Sequence, residues 1–471
     1  MPTRWWPECS IRFQFRAEER VAPARPRSVF KRFLYRLHAL VYRIDRWFKQ
    51  RFTTTGMLLV GLLVLAGVFG VNSRANLAYQ LALLAIAFLA VAAIASMRFR
   101  PAVTIRRRLP RHASDGEPVH YVVEVANHSN KPLRGLMIQE NVRASAPTQA
   151  DQYTRAVSYS NWIAALRTRI GAEPRPVPVP DVPAGGRVDV AVQWRPLRRG
   201  YVRLAGCTLL RPEPLGIMNA RRRIELADSL LVVPRRYPVD WGAWTGELRD
   251  KPGGLSQAAS TSGVEEFASL REYRPGDPLR HIDWKGWARL GVPIVKEYFE
   301  TCFVRQALIL DTWLPRGARD ARFEAAVSVA ASFVAAGPAA LRGALDLIFV
   351  GTSVHRVPAG TGAGALDNVL EALACVEAQP GENFSMLMDS VEARAGELSA
   401  CVCVLLDWDE ARRELVATLR RMEVPLLVLL VDDGVADAHR SADAGPMSDQ
   451  PERFKVLSPA DLRASLARLA L

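Results

Sequence analysis

Two uncharged apolar runs, residues 56–71 and 77–97, separated only by Asn72, Ser73, Arg74, Ala75 and Asn76, constrain this chain more than any other feature. Crossing the roughly 30 Å of bilayer hydrocarbon takes about 20 apolar residues. The second run has that length, and the first reaches it only when Thr53 to Thr55 are counted in. The runs begin too late for a cleaved signal peptide, and no small-residue cleavage site precedes a mature start. The expectation is two antiparallel spans joined by a tight turn. Alanines at 82, 85, 87, 90, 92, 93 and 95 leave room for close helix approach. Basic residues crowd before Thr53 and return at Arg98, Arg100, Arg106, Arg107 and Arg108, whereas the hairpin tip has only Arg74. Both large flanks therefore face the cytoplasm.

Charge is unevenly spread along the 471 residues. The net charge is +14, but residues 1–55 hold 13 Lys/Arg against 4 Asp/Glu, and residues 301–471 hold 16 against 23. The basic front adjoins apolar segments and lacks any zinc finger or aromatic nucleic-acid platform, so nucleic acid is not an expected partner. Within it, Val29, Phe30, Phe33, Leu34, Leu37, Leu40, Val41, Ile44, Trp47 and Phe48 recur at helical spacing, with Lys31, Arg32, Arg36, Arg43, Arg46 and Lys49 between them. That pattern predicts an amphipathic basic helix, either lying on an anionic lipid surface or packed against the chain's own domain. Its place before a span favours lipid. The six cysteines form no CxxC and no framework spacing, so neither zinc nor a disulfide scaffold is indicated.

Residues 99–240 carry short alternating runs, HYVVEVAN, RVDVAVQW, YVRLAGCTLL and SLLVVP, that predict an antiparallel β-sandwich-like domain without titratable clusters, broken by a long loop or insertion over 144–180. From residue 303 the pattern changes. VRQALILD, LDLIFVG, ACVCVLLD and VPLLVLLVD are near-continuous apolar runs, as expected of strands covered on both faces. Helical stretches near 321–336, 364–377 and 410–421 separate them, which predicts a doubly wound α/β sheet. Ser458 or Asp461 is the expected cap of the last helix.

Between these domains, residues 263–300 alternate Arg271, Glu272, Arg274, Asp277, Arg280, His281, Asp283, Lys285 and Arg289 with Phe267, Tyr273, Trp284 and Trp287. Mixed charges satisfy one another and rings supply area to bury, so a structured belt is expected. The spacing of Gly263, Glu266, Phe267, Leu270, Arg271, Tyr273, Pro275, Gly276, Asp277, Arg280, Asp283, Trp284, Ala288 and Arg289 resembles the signature of the bacterial family called domain of unknown function 58. Arg198, Arg199, Gly200, Tyr201, Glu213, Pro214, Leu215 and Gly216 resemble further landmarks of that family. The resemblance implies a membrane hairpin, a β region, the signature, and a C-terminal domain related to von Willebrand factor type A. It also implies a MoxR-type AAA+ ATPase as partner and a bacterial inner-membrane location, with no settled biochemical role.

Asp311, Asp407 and Asp432 end strands on the side where open α/β sheets bind ligands. Type A domains that hold a divalent metal follow the first strand with Asp-x-Ser-x-Ser, whereas this chain has Asp311, Thr312, Trp313, Leu314 and Pro315. Trp313 and Pro315 remove both hydroxyl ligands, leaving a degenerate site near Asp311 and Asp407, with Asp409 as a further carboxylate. Helix capping is the alternative role for these aspartates. Gly360, Gly362 and Gly364 lack the spacing of a phosphate loop, and no GxSxG, HExxH or catalytic set occurs.

The chain thus reads as a multidomain α+β membrane protein. Its expected parts are a basic segment (1–52), a two-helix hairpin (53–98), a β-sandwich-like domain (99–240), the belt (241–302) and a type A-like α/β domain (303–471). The expected function is a non-enzymatic scaffold or adaptor without cofactor, the alternative a metal-dependent ligand-binding domain. Expected interaction residues are Glu266, Phe267, Arg271, Tyr273, Gly276, Asp277, Arg280, Asp283, Trp284 and Arg289. Arg271, Asp277, Arg280, Asp283 and Arg289 admit two readings that can both hold, an internal network locking the belt to its neighbouring domains or an exposed docking surface for a partner such as an ATPase. Asp283, paired with Arg280, and Trp284 are expected to be buried, and Arg274 and Lys285 to reach solvent in part.

Overall fold

The computed structural model describes residues 29–69, 76–143, 171–172, 174–239, 265–275, 277, 279–300, 305–314, 321–340, 344–350, 354–358, 363–380, 384–393, 398, 400–432 and 444–467. The fold is mixed α and β, divided into two units, Met1–Pro234 and Arg235–Leu471.

The first unit opens with three helices. Helix α1 (Val29–Arg51) is the amphipathic segment, and it leaves Leu37, Leu40, Val41, Ile44 and Trp47 exposed, a stripe at helical spacing. Helix α2 (Thr54–Phe69) and helix α3 (Asn76–Met97) pack on each other. On α3 the most covered positions are Ala85, Ala92 and Ser96, so small side chains form the seam, while Leu83, Ile86 and Ile94 point outward. Only Tyr79–Met97 is, among the described residues, long and apolar enough to cross a membrane; Thr54–Gly67 is apolar but shorter.

The helices rest on a turn of the β domain. Thr53 donates its amide to the Ile217 carbonyl at 3.0 Å, its hydroxyl donates to the Gly216 carbonyl, and its Oγ1 accepts from Gly56 N at 3.1 Å. A Cβ at Gly56 would lie 2.0 Å from the Ile217 carbonyl oxygen, so only glycine permits this approach. The turn itself is organised by Glu213, whose buried carboxylate accepts from the amides of Leu215, Ile217 and Met218. Ala92, Ile217 and Met218 form a small core there with Phe52, Leu59 and Leu89.

Two sheets then face each other across one core. One holds β1 (Val103–Arg108), β3 (Val119–Asn127) and β6 (Arg187–Trp194), all antiparallel. The other runs β2 (His112–Ser114), β8 (Asn219–Val233), β7 (Gly200–Pro212), β4 (Met137–Arg143) and β5 (Val177–Pro178). The alternation expected over 120–127 and 187–194 is the burial alternation observed, with Val123, Val125, Val190 and Val192 inward. Most of the expected insertion, residues 144–170 and 173, lies outside the described residues.

The second unit begins with a two-stranded hairpin, β9 (Glu265–Glu272) and β10 (Ile294–Glu300), enclosing a 3-10 turn (Leu279–His281) and α4 (Trp284–Leu290). Beyond it a six-stranded sheet has the order β14 (Val354–Pro358), β13 (Ala344–Val350), β11 (Arg305–Leu310), β16 (Ala400–Leu405), β17 (Leu426–Val431) and β18 (Phe454–Leu457). All pairings are parallel except the β13/β14 edge. Ala307, Ile309, Cys401, Cys403, Leu405, Val428 and Leu430 point to one face, where α7 (Ser385–Glu392) and α8 (Glu410–Arg421) cover them. Leu308, Leu310, Val402, Val404, Leu429 and Val431 alternate to the other face and are equally buried, with α5 (Ala321–Ala340) against β11, β16 and β17. Coverage on both faces is why these strands read as unbroken apolar runs. Helix α6 (Ala363–Cys375) packs on α5, and α9 (Leu462–Ala467) follows a 3-10 turn to which Ser458 gives no side-chain cap.

Candidate functional site

Three charged constellations stand out among the described residues. The first is the belt. Arg271, on β9, donates NH1 and NH2 to the two oxygens of Asp277 at 2.7 Å each, and Arg274 N donates to Asp277 at 2.8 Å. These donors stabilise the carboxylate, the Arg271 fork foremost, and hold its pKa down at about 2. This planar fork closes the loop that leads from β9 into α4. Tyr273 continues the hairpin through an amide bond to the Pro293 carbonyl at 2.9 Å. Glu266 and Phe267 lie on β9 with undescribed side chains, and Gly276 lies outside the described residues.

The rest of the expected network is corrected by the geometry. Arg280 donates to His281 at 3.1 Å rather than to Asp283. Asp283 instead faces Lys296, at 3.9 Å, and is half-buried. Its amide donates to the Ile294 carbonyl at 2.9 Å, fixing the start of α4. Trp284 is 64% exposed and stacks on Trp287, itself 37% exposed, with ring centroids 5.5 Å apart. The expectation of a buried Trp284 fails because α4 spans only seven residues on a two-stranded hairpin and none of them is buried. Leu279, Leu290 and Val292 in the same segment are exposed, as are Arg280, Lys285 and Arg289. Gly291, at φ 72°, ends the helix. Among the described residues the belt is therefore held by the Arg271–Asp277 fork and a looser Asp283–Lys296 pair, and it exposes aromatic and cationic side chains.

The second constellation lies where β11 and β16 end. Asp311 is fully buried and accepts from Trp313 N at 3.0 Å, Leu406 N at 3.1 Å and Arg412 Nε at 2.7 Å. Arg412 also donates to Asp409, which caps α8, and its guanidinium lies 5.1 Å from the centre of the Phe384 ring. Burial alone would lower the pKa of Arg412, but Asp311, Asp409 and Asp407 outweigh it and the net shift is upward. A fixed positive charge thus sits among the carboxylates on which a metal would depend. With Trp313 packed on Phe384, the donor set does not fit a divalent cation. Asp407 accepts from Trp408 N at 2.8 Å, a local turn contact. The capping role anticipated for these aspartates is filled by Asp409. Asp432 continues the strand pairing, its amide donating to the Leu457 carbonyl at 3.0 Å.

The third constellation was missed by sequence reasoning, which expected no titratable cluster in the β domain. Arg107 on β1, with a side chain 1% exposed, donates Nε and NH2 to the two oxygens of Glu140 on β4 at 3.0 and 2.7 Å. NH1 donates to Asp228 on β8 at 2.7 Å and to the Leu226 carbonyl at 2.8 Å. Burial lowers the Arg107 pKa, yet Glu140 more than compensates, and the shift is upward. Burial and the Glu140 charge push the Cys207 thiol to about 12 and raise Tyr121, whose hydroxyl accepts from Trp194 at 3.1 Å. The cluster joins one sheet to the other from inside. In the sequence its signal was the arginine at an otherwise inward register of VTIRRR, and that register is decided only by pairing with β3.

Comparison with known proteins bears on the family. Residues 269–433 match the family model described as protein of unknown function DUF58, which bears out the resemblance carried by the signature. No curated protein matches the chain. Among solved structures, an inactive mutant of the GH20 exo β-N-acetylglucosaminidase from Vibrio harveyi aligns at 10% identity over 70% of this chain and 57% of that one. Its TM-score of 0.15 carries no argument about fold or activity.

Proposed function

We propose that this chain is a membrane-anchored, non-catalytic adaptor whose belt docks a partner protein, a MoxR-like AAA+ ATPase by the family resemblance. In this reading α2 and α3 form a two-span hairpin in a bacterial inner membrane, with both termini cytoplasmic. The α/β domain is a von Willebrand factor type A-like fold that works without its metal. Helix α2, with 16 residues, is about 24 Å long at 1.5 Å per residue, short of a full hydrocarbon thickness. A short span is accommodated by thinning of the bilayer or by flanking residues reaching the interface. The exposed apolar stripe on α1 suits a helix lying in that interface.

The observation that carries the docking role is the stacked Trp284 and Trp287 pair, with Trp284 turned to solvent, on a segment whose Arg280, Lys285 and Arg289 are exposed as well. Trp284, 64% exposed, contributes little to the core of its own domain, whereas tryptophan and arginine are the side chains that dominate protein interfaces. The exposed Arg280, Lys285 and Arg289 of the same segment suit an acidic partner surface.

Capture of a purified MoxR-like ATPase by the detergent-solubilised chain tests the reading. The double variant Trp284→Ala, Trp287→Ala should weaken capture by about thirtyfold, the scale of a hot-spot loss near 2 kcal/mol. Its stability should change by less than about 0.5 kcal/mol per site. Undiminished capture by a folded variant would overturn the assignment.

A further inference from the structure

The end of α1 and the start of β8 gather arginines that no carboxylate among the described residues neutralises, although the Trp47 ring lies 6.0 Å from the Arg51 guanidinium. Arg51 closes α1, one residue before Phe52, which bridges to Met218. Arg221 lies three residues beyond Met218 on β8. The Nε atoms of Arg51 and Arg221 are both buried without a hydrogen-bond partner. Arg46 and Arg223 stand close enough that their charges, with that of Arg51 and after burial itself, depress the pKa of Arg221. No carboxylate among the described residues pairs with Arg51, Arg221 or Arg223. Asp45 is taken by Lys49 at 2.9 Å, and Glu213 is spent on the turn amides. The C-terminal dipole of α1 offers about half a negative charge, too little for four guanidinium groups. Arg46 and Arg223 are exposed to water, but the buried Nε atoms of Arg51 and Arg221 have no acceptor among the described residues, and an anion at this place would offset the charge gathered around them.

The same turn walls an apolar groove. Leu58, Leu59 and Leu62 of α2, Phe88 of α3, and Leu215 and Ile217 of the turn line an open space of about 520 Å³. Thr53 and Phe52 tie the start of α2 to residues 216–218, and the groove, which Ile217 lines, therefore lies a few residues along the chain from both Arg51 and Arg221. Cationic donors close to hydrocarbon walls match one chemistry.

We propose that this place binds an anionic phospholipid, its phosphate accepting hydrogen bonds from Arg51 and Arg221 and one acyl chain lying against Leu58, Leu62 and Phe88. The inference rests on the membrane-anchored reading above and adds a headgroup-selective site to it. The lipid then locks the helices to the β domain at the membrane surface.

Native mass spectrometry of the full chain in detergent, delipidated and then offered phosphatidylglycerol, phosphatidylcholine or inorganic phosphate, tests it. Phosphatidylglycerol should be retained about tenfold better than phosphatidylcholine, the size of one lost charged hydrogen bond, and phosphate alone should not be retained. The double variant Arg51→Gln, Arg221→Gln should lose that preference. Arg221→Lys, which keeps the charge, and Arg203→Gln, at an exposed site on β7, should keep it, with circular dichroism confirming the fold of each. Equal retention of the two lipids, retention of phosphate alone, or equal loss in Arg203→Gln would overturn the site. Carbonate extraction reads anchoring separately. Wild type and the Gln variant should both resist it, and release of wild type would instead defeat the membrane reading.

Discussion

The belt and the interior of the β domain use the same chemistry in opposite ways. In the β domain, Arg107 and Glu140 meet where water is excluded, the partly exposed Asp228 joins them, and every guanidinium nitrogen of Arg107 has a partner. In the belt, where charge is also dense along the sequence, Arg271 and Asp277 form the one fork among the described residues, while Arg280, Lys285 and Arg289 are exposed, as are the indoles. Charge density along a chain therefore does not locate buried charge. A buried ion pair needs an inward register and carboxylates from other strands, and neither is a local property.

The largest expected effect lies inside the β domain. Glu140→Ala leaves Arg107 buried with half its fork unpaired, and should destabilise by about 3 to 5 kcal/mol in chemical denaturation of the solubilised chain. A loss below about 1 kcal/mol would mean the cluster is hydrated, and the contrast with the belt would collapse. Next is Asp311→Ala. Arg412 keeps Asp409 and the Phe384 ring, so a loss of about 3 kcal/mol, at the lower end of that range, is expected. The same variant should remain insensitive to Mg²⁺, because Arg412 still holds the position; a saturable rise in melting temperature with Mg²⁺ would show that the guanidinium does not occupy it.

On the belt the effects shrink. Asp283→Ala was expected from the sequence to be severe, yet its carboxylate is half-buried and 3.9 Å from Lys296, so less than about 1 kcal/mol should be lost. A loss above about 3 kcal/mol would return Asp283 to an internal network. The smallest effect is a pH dependence. Asp277 has its pKa lowered from 3.8 to about 2, so its contribution is complete above pH 3.8 and disappears as pH falls through about 2. Titration of the carboxylate followed by NMR should give that low midpoint in wild type. It should move toward 3.8 in Arg271→Gln, and an unmoved midpoint would remove Arg271 as the cause.

Much of the architecture was legible. RVDVAVQW is β6 from its first residue to its last, ACVCVLLD contains β16, and the 410–421 stretch is α8 with Asp409 as cap. These follow from period 2, from unbroken apolar runs, and from a capping side chain, all local. Strand β18 and the antiparallel edge β14 went unread, because short runs at a sheet's margin are selected by their neighbours rather than by their own pattern. The landmark Glu213, Pro214, Leu215, Gly216 was visible as a resemblance, but its work, a carboxylate gathering three amides to seat two helices, emerged only from the fold.

By itself the sequence determined which segments are apolar helices, which strands are covered on one face or two, and that Trp313 and Pro315 supply no metal-ligating oxygen. Tertiary structure alone decided that Arg412 stands among the carboxylates, that Arg107 lies between two sheets, and that Trp284 looks outward. The physical reason is range. Periodicity and side-chain chemistry act over a few residues, whereas burial and ion pairing depend on groups 33, 101 or 121 positions away, brought together only when the sheets close.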